Sequence, residues 1–305
     1  MRKSMVLVLV CFIALYQPLK AQYYYYNDRY YETPVVFEIG VGGGVMNSLT
    51  DLGGKAGIGK NFIKDLRWKT CRASYGGYFA ATYNDVVTAR IEATFGEVAG
   101  FDSILKKVAP STFGRYERNL SFKSRISEFS LTAEFHPLYL KNYDDQDPPR
   151  LSPFVLGGVG YFSFDPQANL NGQWYSLQPL SLEGQGFKEY PDRQPYKLHQ
   201  VNFLLGMGLR YELNPAIRFR LELVHRILTT DYLDDVSTGY IDPSLFYSYL
   251  PSSQAAIAEK LYFRRPELIP TDAMPTDDQR GDPTDNDSYF TIQFKVGFML
   301  GRQRR

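Results

Sequence analysis

The stretch from Pro215 to Arg226 reads P-A-I-R-F-R-L-E-L-V-H-R, and its alternation restricts the fold more than any other part of the chain. Ile217, Phe219, Leu221 and Leu223 are apolar at odd positions, while Arg218, Arg220 and Glu222 are charged at even ones. Successive side chains of a strand point to opposite faces, so this is a strand with one oily side and one charged side. Two settings suit it. One is a soluble sheet with a core on one face and water on the other; the second is a stave of a membrane barrel, with lipid outside and a polar lumen within.

The same period recurs in segments of about 9–11 residues, the length a tilted membrane strand requires. Val35–Val45 sets Phe37, Ile39 and Val41 against Glu38, Gly40 and Gly42; Tyr75–Tyr83 sets Tyr75, Phe79, Ala81 and Tyr83 against Gly76, Tyr78, Ala80 and Thr82. Val87–Phe95 opposes Ile91 and its neighbours to Thr88, Arg90, Glu92 and Thr94. A fourth strand ends near Phe135, with Phe129 and Leu131 opposite Glu128 and Glu134. Phe154–Phe164 is apolar on both faces, so its parity stays open. Val201–Tyr211, the opening stretch, and Tyr289–Leu300 complete eight.

Connections between these segments alternate in length. Asn84-Asp85 and Asn214-Pro215 have turn chemistry, and Pro137–Ser152 is a moderate link. Between them lie Met46–Ser74, Gly96–Leu120, Asp165–His199 and Leu228–Ser288. Short turns at one rim and long loops at the other are the layout of outer-membrane barrels, whereas long structureless loops count against a compact soluble domain. The expected fold is therefore all-β: an eight-stranded antiparallel transmembrane β-barrel with four long extracellular loops and both termini in the periplasm.

Residues 1–21 have the layout of a secretory signal: Arg2 and Lys3, an apolar run from Met5 to Leu15, and Leu19-Lys20-Ala21 as a cleavage edge. That run is too short for a membrane span of about 20 residues. Residues 22–34 are expected to be a Tyr-rich periplasmic leader, and 35–305 the barrel of a Gram-negative outer membrane. Removal of the signal leaves Cys71 alone, so no intramolecular disulfide forms. Tyr and Phe supply most of the 15% aromatic content, which suits strands and membrane interfaces. A net charge of +1 makes no case for nucleic acid.

By parity the polar faces carry Glu38, Glu92, Glu128, Glu134, Glu212 and Glu222 against Arg90, Arg210, Arg218, Arg220 and Lys295. An eight-stranded barrel is just wide enough for side chains to fill. Near-balanced charges should pair there, with Gly40, Gly42, Gly206, Gly208 and Gly297 making room, to give a plugged barrel and not a diffusion pore. Outer-membrane lipid is the expected partner of the apolar faces.

No motif places a catalytic nucleophile, and no enzyme activity is expected. His225 precedes Asp231, Asp234 and Asp235, which reads as an interface histidine beside a solvated acidic loop. Asp231, Asp234, Asp235 and Asp242 form a candidate cation-binding loop, for calcium if for any cofactor, although their spacing is not that of an EF-hand and turns and caps explain aspartates well. Arg280-Gly281-Asp282 reads as a turn more readily than as an adhesion tripeptide.

Four segments carry a resemblance: Gly114–Phe135 (G-R-Y-E-R-N-L-S-F-K-S-R-I-S-E-F-S-L-T-A-E-F), Ser152–Pro166 (S-P-F-V-L-G-G-V-G-Y-F-S-F-D-P), Asp231–Pro243 (D-Y-L-D-D-V-S-T-G-Y-I-D-P) and Gln279–Pro283 (Q-R-G-D-P). They resemble the PorG-like outer-membrane barrels associated with the type IX secretion system. The resemblance implies an eight-stranded barrel, no catalysis, and association with the periplasmic secretion ring built from a lipoprotein and its partner. A surface-exposed structural or ligand-binding barrel of the adhesion type is the alternative.

Overall fold

The computed structural model describes residues 34–53, 68–111, 114–141, 149–269 and 278–300. The signal segment, the leader up to residue 33 and the Arg302–Arg305 tail lie outside the described residues.

Eight long strands close on themselves: β1 (Val35–Leu49), β2 (Arg72–Tyr83), β3 (Val87–Phe101), β4 (Ser121–Phe135), β5 (Leu151–Ser163), β8 (His199–Asn214), β9 (Ile217–Leu228) and β10 (Ser288–Leu300). Each pairs antiparallel with its neighbours in chain order, and β10 pairs with β1 to shut the ring. Closure removes the exposed sheet edges that would otherwise invite pairing with other chains. The remaining strands, β6 (Pro166–Leu170) and β7 (Gln173–Ser176), form a hairpin hung from β4 beyond the barrel.

Alternation fixes which face is which. Phe37, Ile39, Val41, Ile91, Phe129, Leu131, Met207 and Phe294 are exposed on the outer surface, with Phe129 leaving 65% of its area uncovered. The charged faces are buried inside. Water would not tolerate that outer belt, and lipid requires it. On β8 the exposed row runs from Val201 to Leu213. Twelve steps of about 3.3 Å, tilted about 40°, rise roughly 30 Å, the thickness of a bilayer's hydrocarbon. Strand β5, whose parity the sequence left open, turns Phe154, Leu156 and Phe162 inward and Val155, Val159 and Tyr161 outward.

The strands outrun their expected ends on the long-loop side. β3 continues from Phe95 to Phe101, and Val98, Ala99 and Gly100 are all buried. Loops cover both faces there, so the alternation that marks a membrane strand ceases although the pairing continues. The long loops are also not structureless. Residues 229–287 include α2 (Ser244–Tyr249) and α3 (Ser252–Tyr262), and α1 (Arg115–Arg118) precedes β4. Ala255, Ala258, Leu261 and Tyr262 of α3 pack with Leu177, Leu180, Leu182 and Phe187 of the third loop. The fourth loop thus folds against the third into a crown at one end of the barrel.

Candidate functional site

Two constellations stand out: the charges inside the barrel and the polar hub of the crown. All eleven charges assigned to the lumen from parity are buried, none more than 7% exposed. They form connected layers. At the short-turn end Arg218 bridges Asp85 (2.8 Å), Glu212 (3.3 Å) and Glu38 (3.4 Å), and Arg210 lies 3.3 Å from Asp85. The turn 137–140 closes that mouth: the Arg210 guanidinium lies 4.6 Å from the centre of the Tyr139 ring, and the Tyr139 hydroxyl donates to the Pro149 carbonyl.

In the middle layer Arg220 donates through Nε to Glu38 Oε1 (3.0 Å), through Nη2 to Glu38 Oε2 (3.2 Å) and through Nη1 to Glu134 (2.7 Å). Arg90 reaches Glu222 (2.6 Å), Glu134 (2.8 Å) and Glu92 (3.2 Å), and Lys295 joins Glu92 (2.5 Å) to Glu222 (2.8 Å). Tyr78 stands at the centre. Its hydroxyl donates to Glu38 at 2.5 Å, and Arg90, Arg220 and Lys295 lie 5.5–5.6 Å from its ring. A Cβ added at Gly40 would collide with the hydroxyl edge of that ring, and one at Gly297 with the Glu38 carboxylate. Gly297 and Gly42 make room for charged chains, Glu38 and Lys295, whereas Gly40, Gly206 and Gly208 accommodate Tyr78, Leu156 and Phe154 instead.

At the long-loop end Glu128 accepts from Arg226 (3.1 Å), Tyr289 (2.6 Å) and Asn202 (2.7 Å). Above it Met46, Phe122, Ile126, Phe162 and Leu228 continue into an apolar cluster with Leu233 and Val236 of the crown. The lumen is therefore filled and capped at both ends.

Arg226 and Asp85 add one charge of each sign to the set read from the sequence. Arg226 keeps the even parity of Arg218 and Arg220, so extending that rule four residues beyond Glu222 would have found it. Asp85 sits in a turn at positive φ, where strand parity says nothing.

The crown hub gathers all four loops. Arg118 of α1 donates to Asp102 (2.9 and 3.1 Å) in the second loop, to the Asp51 carbonyl (2.8 Å) in the first and to the Arg280 carbonyl (2.6 Å) in the fourth. Arg280 in turn reaches Glu183 of the third loop (2.9 Å) and the Asp235 carbonyl (2.6 Å). Glu183 accepts the backbone N–H groups of Ser237 and Thr238.

The four aspartates of the candidate cation loop do not form one set: Asp231, Asp234 and Asp235 are buried rather than solvated, and Asp242 is exposed apart from them. Asp234 accepts from the N–H of Leu52 and Val236, and Asp235 from the Tyr196 hydroxyl (2.6 Å). Asp231 is buried, while Asp242 is exposed and accepts the Ser244 N–H (2.9 Å) at the start of α2. Among the described residues no three His, Cys, Asp or Glu side chains are arranged to hold a metal ion. His225 lies on the lipid-facing parity of β9, away from these buried carboxylates. Arg280 is 3% exposed, so Arg280-Gly281-Asp282 does not present its arginine to a partner.

Burial pushes Asp231 and Asp234 up to about 8 and Asp235 up to about 7; Asp287 and Asp51 also rise. The guanidinium groups of Arg118, beside Asp234, and Arg280, beside Asp235, oppose this without cancelling it. An unfolded aspartate titrates near about 3.9, so between that value and about 7–8 the folded crown holds protons that the unfolded chain has released. Its stability falls as pH rises across that window and levels off above it. After correction for intrinsic rates, hydrogen exchange of crown amides is expected to be slower at pH 6 than at pH 9, and Asp234→Asn should flatten the difference. Slower exchange at pH 9 would contradict the assignment.

No protein-family model and no curated protein matches the chain. Solved structures similar to it include the N-terminal barrel domain of Pseudomonas aeruginosa OprF, at 12% identity and TM-score 0.33 over 87% of this chain and 97% of that one. Yersinia pestis Ail, crystallised with the heparin analogue sucrose octasulfate, matches at 9% and 0.37 over 88% and 100%. Neisserial surface protein A matches at 6% and 0.38 over 86% and 96%. Likeness at this level names neither a ligand nor a partner for this chain.

Proposed function

We propose that the chain is a non-catalytic barrel of a Gram-negative outer membrane that anchors or positions a type IX-like protein secretion machinery. The observation that carries this reading is the lumen. Paired charges fill it, Tyr139 covers one end and an apolar cluster the other. On this reading the barrel neither conducts nor catalyses and acts through its rims. In the proposed orientation the short turns and both termini face the periplasm, and the crown faces outward.

Resemblance to the PorG-like barrels supports the secretion assignment, and three of its four segments meet in the hub. Arg118 donates to the Arg280 carbonyl, Arg280 to the Asp235 carbonyl, and Gly239 bridges to Gln279. Contacts with a periplasmic ring lipoprotein and its partner would fall on residues 22–33, 142–148 and 301–305, all outside the described residues. Deleting the gene and measuring export of type IX cargo tests this. Loss of cargo from the medium, with ring proteins co-purifying with the barrel, is the expected result. Normal export would overturn the secretion role.

A second reading has its own observation. The crown is folded, and Trp174 and Tyr247 are exposed on it at 40% and 52%. A surface-exposed structural or ligand-binding barrel would use such a surface, and normal export without co-purifying ring proteins would favour it.

A further inference from the structure

The outward row of β4 changes character part-way along. Phe135, Ala133, Leu131 and Phe129 face lipid, and Ser127, Arg125, Lys123 and Ser121 continue the same parity beyond them. Register carries this polar ledge sideways, because Ser127 pairs with Ser163 of β5 and Ser163 with His199 of β8. Directly below it Tyr161 stacks on His199, at 6.2 Å between ring centres, and marks the upper edge of the belt. Lys197, two residues before His199, is exposed as well.

The ledge is basic, and its acids are engaged. Glu97, the cross-strand partner of Arg125, lies 3.7 Å from Arg72, and Asp165 accepts from Gln167 and Ser176. The Lys123 ammonium is held 3.8 Å from the centre of the Trp174 ring at the tip of the β6–β7 hairpin. Elsewhere around the barrel, Ala73, Thr229 and Ser288 are neutral outward positions near this height, and the part-exposed Arg72 is paired with Glu97.

Arg125 lies four residues beyond Phe129, about 10 Å along the bilayer normal after tilt. The headgroup zone adds roughly 5–7 Å to each side of the hydrocarbon, so the Arg125 backbone stands a few ångströms above it and its long side chain reaches down into it. We infer that Lys123 and Arg125, flanked by Trp174, bind the phosphate groups of an outer-leaflet glycolipid whose acyl chains lie on Phe129, Leu131 and Tyr161. Continuity of the ledge with the belt below selects a lipid phosphate over a soluble one. Arg and Lys supply charge-assisted hydrogen bonds to phosphate, and the indole offers an amphipathic face suited to the interface. This inference rests on the outer-membrane orientation proposed above.

The test compares the full-length protein and the double variant K123Q/R125Q in vesicles containing bis-phosphorylated lipid A, its dephosphorylated counterpart, or inorganic phosphate alone. Native mass spectrometry after extraction reads lipid retention. The wild type is expected to keep bis-phosphorylated lipid A roughly tenfold or more better than the variant, at about 1 kcal/mol per basic residue near an anionic surface. Neither dephosphorylated lipid nor free phosphate should be retained comparably. Equal retention by wild type and variant, or of both lipids by the wild type, overturns the inference. Flotation with the vesicles separates the two levels of claim: a wild type that does not float overturns the membrane reading and this site with it. If the double variant fails to fold, R125Q alone carries the comparison, with a loss of about threefold or more expected.

Discussion

Replacing Arg220 with leucine should lower the unfolding midpoint of the barrel in detergent more than any substitution on its outer surface. Arg220 is fully buried and binds two carboxylates, Glu38 and Glu134. Leucine fills part of the volume but deprives both acids of a guanidinium at once, leaving Glu38 to Arg218 and Tyr78 and Glu134 to Arg90. Breaking a buried pair from one side costs about 3–5 kcal/mol, because the remaining charge stays desolvated. The barrel should lose its compact, heat-modifiable gel mobility at a markedly lower temperature. Removing one of the stranded acids as well, in Arg220→Leu/Glu38→Leu, should recover part of the loss, the signature of a coupled pair. Glu97→Gln is the control. Its partner Arg72 lies 3.7 Å away and both are a third or more exposed, so a change of no more than about 1 kcal/mol is expected. Unchanged unfolding of Arg220→Leu would remove the lumen network from the stability of the fold.

Arg118→Ala should act on the crown and leave the barrel standing. One guanidinium ties the first, second and fourth loops through Asp102 and the carbonyls of Asp51 and Arg280. Its loss strands a buried carboxylate and two carbonyls, at a local cost of about 3–5 kcal/mol. Asp102 keeps the N–H groups of Gly53 and Leu120, so the second loop should loosen without unfolding. Chymotrypsin, which needs no basic residue, should cut the loops of the variant many times faster than those of the wild type, while the heat-modifiable barrel fragment survives. An unchanged digestion pattern would mean that the crown is held by its apolar clusters alone.

The two constellations differ in how far the sequence reveals them. Period-two alternation is a local property, so Arg218, Arg220 and Glu222 could be turned inward from twelve residues of chain. Lipid outside and charge inside repeat that instruction in every strand. Strand β5 escaped because Phe154, Leu156 and Phe162 line the inside with rings: an interior position need not be polar when Arg220 passes 5.6 Å from the Phe154 ring. The crown follows no such rule. Its aspartates read as a solvated loop because nothing nearby in sequence shows that Arg118 and Arg280, separated by more than a hundred residues of chain, would meet beside them. The helical spacing of Ala255, Ala258 and Leu261 is present in the sequence, yet what α3 packs against lies in the third loop. Tertiary pairing between loops has no period to read.

Central to all of this is a barrel whose lumen is filled rather than open, and conductance measures that directly. Purified protein reconstituted in a planar bilayer, with insertion verified by heat-modifiable mobility, should give no stable channel steps at any holding voltage. Regular, long-lived steps of porin size from the wild-type protein would contradict the paired and capped interior.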